Sequence, residues 1–265
     1  MFKREALFDL VKSLNKSEKR YFTLFAERHV IGEKNNYLKL FEAIDDQKAY
    51  DENGLLKLFP KASGGRNLRV YEDYLFKLIL KSMRAFYSQK NMEMHLKEML
   101  DDIDFLFEKG FYKECEKIVK KGKKISEQYE YQLLLLDFLR WEIELMIVQS
   151  YQGETEEDME QNFREVFKTI EKYENYKEYH ELRLKIMIKS RKKGVARTPE
   201  EIKEYKKILN QPLLRSEEKA LSVRARLIFY ASHINFLIKI FDYRTCYSYV
   251  QKQVKLLESH PDIIT

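Results

Sequence analysis

Little in this chain breaks a helix. Its 265 residues include only eight Gly and four Pro, too few for a sheet whose strands reverse at many tight turns. Two Cys exclude a disulfide framework. No apolar run is long. The window 133–148 is interrupted by Asp137, Arg140, Glu142 and Glu144, and the window 227–241 falls short of the roughly 20 residues that a membrane-spanning helix needs. Met1-Phe2-Lys3-Arg4-Glu5 leads directly into an amphipathic segment and is unlike a signal peptide. A cytoplasmic location with no membrane partner is the expectation.

What the chain does contain is bulk and charge. Hydrophobic residues make up 44% and charged residues 35%, a balance that fits a folded domain rather than a disordered one. Seventeen Phe and 18 Tyr against one Trp suit helix-on-helix packing, where large rings fill the gaps between cylinders. The net charge of +6 is unevenly placed. Residues 1–90 hold 18 Lys and Arg against 12 Asp and Glu, whereas residues 91–265 balance at 31 of each sign. Two parts with different surfaces are expected, 1–90 and 91–265.

Apolar residues recur at spacings of three and four almost throughout, without a sustained alternation of period two. The spacing predicts helices over 2–14 and 17–29, with Ser17 as a cap, then over 37–44, 51–59 and 67–89. The expected breaks are Gly32, Asn35-Asn36, Pro60 and Ser63-Gly64-Gly65. The helix over 67–89 carries an apolar stripe wide enough for contacts on more than one side. Beyond it the pattern reads as four helix pairs: 93–109 with 111–129, 131–152 with 155–174, 176–193 with 199–210, and 216–240 with 243–259. Start signals mark the joints. Gly153 and Thr155 precede Asp158 as a capping box that uses Asp, and Thr198-Pro199-Glu200-Glu201 combines a cap, a first-turn Pro and two acids. Ser216-Glu217-Glu218 repeats that logic, and Pro261 closes the final pair.

Two segments align with each other. Lys109-Gly110-Phe111-Tyr112-Lys113-Glu114-Cys115 continues to Ile118, Val119 and Gly122; Ile240-Phe241-Asp242-Tyr243-Arg244-Thr245-Cys246 continues to Tyr249, Val250 and Gln253. The Tyr is read as filling the elbow of a hairpin, and the small residue as permitting close approach of the paired helix. With these residues, the stretch from about 93 to 259 resembles the tetratricopeptide repeat family, whose Gly-x-Tyr-x-x-Ala elbow joins two antiparallel helices. Cys115 and Cys246 stand where Ala is usual, Phe241 stands where Gly is expected, and Ile103 and Ile234 replace a small residue of the first helix. The resemblance implies an all-α fold, a right-handed superhelical stack of helical hairpins behind an N-terminal helical subdomain. It also implies a groove lined by the first helix of each pair. Carried onto the two aligned copies, the family's groove positions fall at Lys97 and Asp104, and at Asn235 and Lys239.

Enzyme signatures are absent from the sequence. His29, His95, His180, His233 and His260 are scattered, and none has a Glu three residues before it or a second His four away. Ser63-Gly64-Gly65-Arg66 lacks the Lys-Ser/Thr of a phosphate-binding loop, and no Gly-x-Ser-x-Gly occurs. No cofactor and no metal are expected. His233 reads as a hydrogen-bonded core or groove residue, with catalysis as the alternative, and packing is the expected role of both Cys. Lys117, Lys120, Lys121, Lys123 and Lys124 read as a solvated outer surface, with a ligand site as the alternative. Lys189-Ser190-Arg191-Lys192-Lys193 reads as the cationic end of a helix, with phosphate or RNA contact as the alternative.

The expectation is therefore a bacterial-type, non-enzymatic scaffold or adaptor that binds a protein or peptide. The competing reading is a transcriptional regulator, with a helix-turn-helix-like DNA-binding part in residues 1–90 and a repeat sensor behind it. Asp262-Ile263-Ile264-Thr265 is read as an exposed apolar end, at which a solenoid continues or a second copy pairs.

Overall fold

A computed structural model describes residues 4–28, 36–59, 66–88, 90–149, 155–196 and 198–263. The breaks expected at Gly32, Asn35, Pro60, Ser63-Gly64-Gly65 and Gly153, and residues Ile264 and Thr265, lie outside them. The described chain is all-α, with twelve helices and no strand among the described residues. It forms two compact units, residues 1–95 and 96–265.

The first unit contains α1 (Arg4–Ser13), α2 (Lys16–Arg28), α3 (Asn36–Asp46), α4 (Glu52–Leu58) and α5 (Arg66–Ser88). The wide stripe of α5 packs against α1, α2 and α3. Its Leu68, Leu75 and Ile79 are wholly buried with Val11, Phe22, Leu40 and Ile44. The cap of α2 is Asn15, not Ser17. Asn15 Oδ1 accepts from the backbone N–H groups of Ser17 and Glu18 at 2.9 and 3.1 Å, and Glu18 Oε2 accepts from the N–H of Asn15 at 2.6 Å. This is a reciprocal capping box. It holds the buried Glu18 carboxylate, whose other oxygen accepts from the Tyr87 hydroxyl.

The second unit is dominated by helices of one length. Helices α6 (Met92–Glu108), α7 (Tyr112–Gln128), α8 (Gln132–Val148), α11 (Val223–Lys239) and α12 (Tyr243–Ser259) are each 17 residues long. Between them lie α9 (Glu156–Lys193) and α10 (Pro199–Leu209). Helix α8 packs against α7 and α9, α9 against α11, and α11 against α12, while α10 lies beside α9.

Three elbows share one backbone solution. Gly110, Glu130 and Phe241 follow α6, α7 and α11 with φ of 78°, 51° and 60°. In each case the next N–H reaches back five residues: Phe111 to the Leu106 carbonyl at 3.0 Å, Tyr131 to Ser126 at 2.9 Å, and Asp242 to Leu237 at 3.1 Å. These are Schellman closures, which satisfy the last carbonyls of one helix and start the next after three residues. The aligned pair of elbows thus has one geometry, and the joint expected between 111–129 and 131–152 has it too, with Glu130 in the left-handed position. Starts at Met92, Tyr112 and Gln132 set a helix-plus-elbow period of 20 residues. A pair of helices therefore takes 40, more than the roughly 34 of a tetratricopeptide repeat.

Three expectations need correction. No joint separates 155–174 from 176–193, because α9 is continuous over 38 residues; neither Gly nor Pro occurs within it to stop the backbone ladder. Its Asn175 instead clamps a distant loop, donating to the Lys219 carbonyl and accepting from Leu221 N–H, both at 3.0 Å. Ser216 caps only a 3-10 turn at Glu217–Lys219, and α11 starts at Val223 with Ser222 as its cap. Ile263 is buried within a second turn, Pro261–Ile263, rather than exposed. The boxes at Thr155–Asp158 and Thr198–Glu201 form as expected.

Close approach sets the pairing of α7 and α8. A Cβ on Gly122 would lie 2.3 Å from the ring of Phe138, which is fully buried. Gly122→Ala is expected to lose about 1–3 kcal/mol through overpacking, more than the roughly 1 kcal/mol gained in helix propensity; urea denaturation measures the net loss. Phe241→Gly removes a left-handed non-glycine residue whose ring is 55% exposed. It is expected to raise stability by about 0.5–1 kcal/mol after the entropy of Gly is counted, read as a higher urea midpoint.

Candidate functional site

Where α7, α8 and α9 meet, the side chains leave two adjoining cavities. The first, about 330 Å³, is walled by Glu116, Val119, Lys120 and Lys123 of α7 and by Asp158, Gln161, Asn162 and Glu165 of α9. Glu142, Leu145 and Met146 of α8, with Gln149 just after it, complete the lining. The second, about 420 Å³, runs on along α9 past Arg164, Lys168 and Lys172, opposite Ser126 and Glu127 of α7 and Leu135 of α8. Gln161 and Glu165 line both. Volumes of this size fall in the range of small-molecule and side-chain pockets.

Lys123 is the electrostatic centre. Its ammonium lies 2.7 Å from Glu142 and 2.9 Å from Glu165, with 18% of its side chain exposed. Burial pushes its pKa down, but hydrogen bonds to the two carboxylates outweigh that and hold it above the usual Lys value. Glu165 mirrors it: burial pushes its carboxyl up, and hydrogen bonds from Lys123 and Gln161 bring it below the ordinary value. Asn162 orients the pair, donating to Glu142 at 2.6 Å and to the Leu139 carbonyl at 3.3 Å. Gln149 donates to Glu116 at 2.6 Å across the rim. Two polar atoms of these walls, Asn162 Oδ1 and Ser126 Oγ, are buried without a hydrogen-bond partner.

The lysine run of α7 is therefore not one solvated face. Lys117 is 71% exposed and pairs with Glu114, whereas Lys123 points into the helix junction. A signal was present in the sequence: Lys123 lies four residues after Val119 and eight after Cys115, on the buried side of the helix.

The four groove residues read from the family resemblance line neither cavity. Lys97 and Asp104 sit exposed on α6, two turns apart; Asn235 and Lys239 are half-buried, one turn apart on α11. The Lys239 carbonyl accepts from Ala196 N–H at 3.0 Å. His233 is buried in α11, its Nδ1 3.0 Å from the Phe229 carbonyl and its ring stacked on Tyr249 at 4.6 Å. Burial, partly countered by carbonyls of Phe229 and Leu214, lowers its pKa and keeps it a neutral packing group. Both Cys are free and buried; burial raises their thiol pKa values, and Cys115 Sγ contacts the Ile103 carbonyl at 3.8 Å. Tyr112 packs in its elbow against Phe107, at 5.3 Å, but Tyr243 does not: it is 61% exposed. Among the described residues no helix is long and apolar enough to cross a membrane, and no cluster of His, Cys, Asp and Glu is arranged to hold a metal.

No protein-family model matches this chain, and no curated protein or solved structure matches it either.

Lys123→Met would leave Glu142 and Glu165 facing one another without a cation. At pH 7 the expected loss is about 1–3 kcal/mol, between that of an exposed and a buried pair. Wild-type stability from Glu165 falls as pH drops through the ordinary Glu value of 4.5, and protonation simultaneously relieves the repulsion in the variant. The gap between the two proteins is thus expected to narrow from pH 7 to about pH 4, measured as urea midpoints.

Proposed function

We propose that this chain is a non-enzymatic scaffold or adaptor, built as a tetratricopeptide-like superhelical stack, that holds a protein or peptide segment along the α7–α8–α9 junction. The observation that carries the reading is the pair of adjoining cavities with a buried, partnerless polar atom in each wall. Such an atom costs about 1–3 kcal/mol, and a bound peptide donor in reach after a small side-chain shift would offset that cost. The lining also changes in charge along its length, from net acidic to balanced. Glu116, Glu142, Asp158 and Glu165 outnumber Lys120 and Lys123 in the first cavity, whereas Glu127, Glu130 and Glu165 match Arg164, Lys168 and Lys172 in the second. A segment that brings a basic residue to the first cavity fits this bias. The repeated elbow supports the family likeness; the 20-residue period departs from it. Lys97, Asp104, Asn235 and Lys239 remain the positions at which the family likeness would place further peptide contacts.

The test is selection of displayed random peptides on the full chain, with Gln161→Trp as the comparison. Gln161 is exposed on the rim of both cavities, so a Trp there fills them without entering the core. Peptides sharing a charge pattern, with binding weakened at least about tenfold by Gln161→Trp, are expected. Enrichment of nothing, or of peptides indifferent to the Trp, counts against the reading. A gel shift by the full chain at low salt would instead favour the DNA-binding regulator.

A further inference from the structure

The internal repeat locates a helix-binding face that the chain leaves bare. Aligning the elbows sets Gly110 on Phe241, Cys115 on Cys246 and α7 on α12, position for position. In both helices the Cys faces the preceding helix and is buried. A second stripe, Tyr112 against Phe107 followed by the cavity-lining Glu116, Val119 and Lys123, behaves differently. Tyr112, Glu116, Val119 and Lys123 are buried or half-buried there, Val119 being 2% exposed. Their equivalents on α12 are Tyr243, Tyr247, Val250 and Val254, exposed by 61%, 64%, 36% and 46%. Where α7 meets the interior of its unit with two charged residues, α12 meets solvent with four apolar ones, and Phe241 extends the patch at 6.2 Å from the Tyr243 ring.

Residues 260–263 do not turn back to cover this face. The position equivalent to Glu130, the left-handed residue that sends the chain from α7 into α8, is Pro261. A proline ring fixes φ near −65°, so that elbow is forbidden. The chain turns through Pro261–Ile263 instead, buries Ile263, and Asp262 accepts from Gln128 at 2.9 Å. A helix on the bare face must therefore come from outside this part of the chain.

We propose that the occupant is α12 of a second copy, laid antiparallel across a twofold axis between residues 248 and 249. The stripe is spaced 4-3-4, which reads the same in both directions. Antiparallel pairing sets each Tyr243 against Val254 of the other copy and each Tyr247 against Val250, large against small, as interdigitating helices require. Parallel pairing would stack Tyr on Tyr and Val on Val. The antiparallel register also sets Asp242 against Lys255, opposite charges at the two ends of the seam, and places no like charges opposite each other along it. This surface lies on α12, apart from the peptide junction, and stands or falls separately from it.

Sedimentation of the full chain is expected to show a dimer, twice the 32.1 kDa chain mass, that dissociates on dilution. Tyr247→Glu puts a carboxylate on the seam of each copy, at a site exposed enough to leave the fold intact. It is expected to weaken the dimer at least about 100-fold, with an unchanged helical circular dichroism spectrum. Orientation is read by oxidation: Tyr247→Cys and Val250→Cys, each inert alone, are expected to crosslink when mixed, the native thiols being buried. A single 32.1 kDa species from micromolar to submillimolar concentration overturns the proposal. So does a dimer indifferent to Tyr247→Glu, or a crosslink formed by either Cys variant alone.

Discussion

The second unit depends on a three-residue elbow with its first residue in the left-handed region. A helix ends with carbonyls that need partners, and the Schellman closure supplies them while reversing the chain at once. Gly110 adopts this conformation without strain; Glu130 and Phe241 adopt it at a cost of about 1–3 kcal/mol each. Packing of the helices on either side must outweigh that cost. At Phe241 the inner face of α12 does so, with Cys246 and Leu256 buried and Tyr249 stacked on His233.

Glu130 offsets its own strain more directly. Its carboxylate accepts from the N–H groups of Val223 and Arg224 at 2.7 and 2.9 Å, at the start of α11, and Arg224 donates to the Tyr129 carbonyl at 3.1 Å. An anion at a helix N-terminus satisfies free donors and meets the positive end of the dipole. The elbow between α7 and α8 is thereby tied to a helix more than 90 residues later. Asn175 ties the middle of α9 to the segment just before that helix. Together these two polar clamps let the 38-residue α9 serve both halves of the unit. Its first half faces α8 through Asn162, and its second half faces α11 through Tyr179, Leu182 and Ile186.

Charge inside the α7–α8–α9 junction follows from the same geometry. Gly122 brings α7 against Phe138, so that Lys123, one residue on, reaches Glu142 and Glu165 at the edge of the contact. With apolar residues in those positions the cavities would have no polar lining to orient a ligand. With one carboxylate missing, the remaining pair would lose the second of two contacts that hold the ammonium charged.

Helix identity, the caps at Thr155 and Thr198, the elbows at Gly110 and Phe241 and the packing role of the two Cys were legible in the sequence. Each depends on residues within a turn or two of one another, where side-chain spacing and backbone preference act locally. The left-handed closure at Glu130, the continuity of α9, the cap at Ser222 and the inward aim of Lys123 were not. At Glu130, Asn175 and Lys123 a polar residue does what local preference would not assign it, because a partner 19 to 94 residues away supplies the compensating bond, whereas Ser222 bonds locally to Ala225 N–H. The sequence by itself determined an all-helical chain and the places of its three tight elbows. Only tertiary structure decided which charges are buried, where the cavities lie and which face of α12 is left uncovered, since these depend on contacts between residues far apart in the chain.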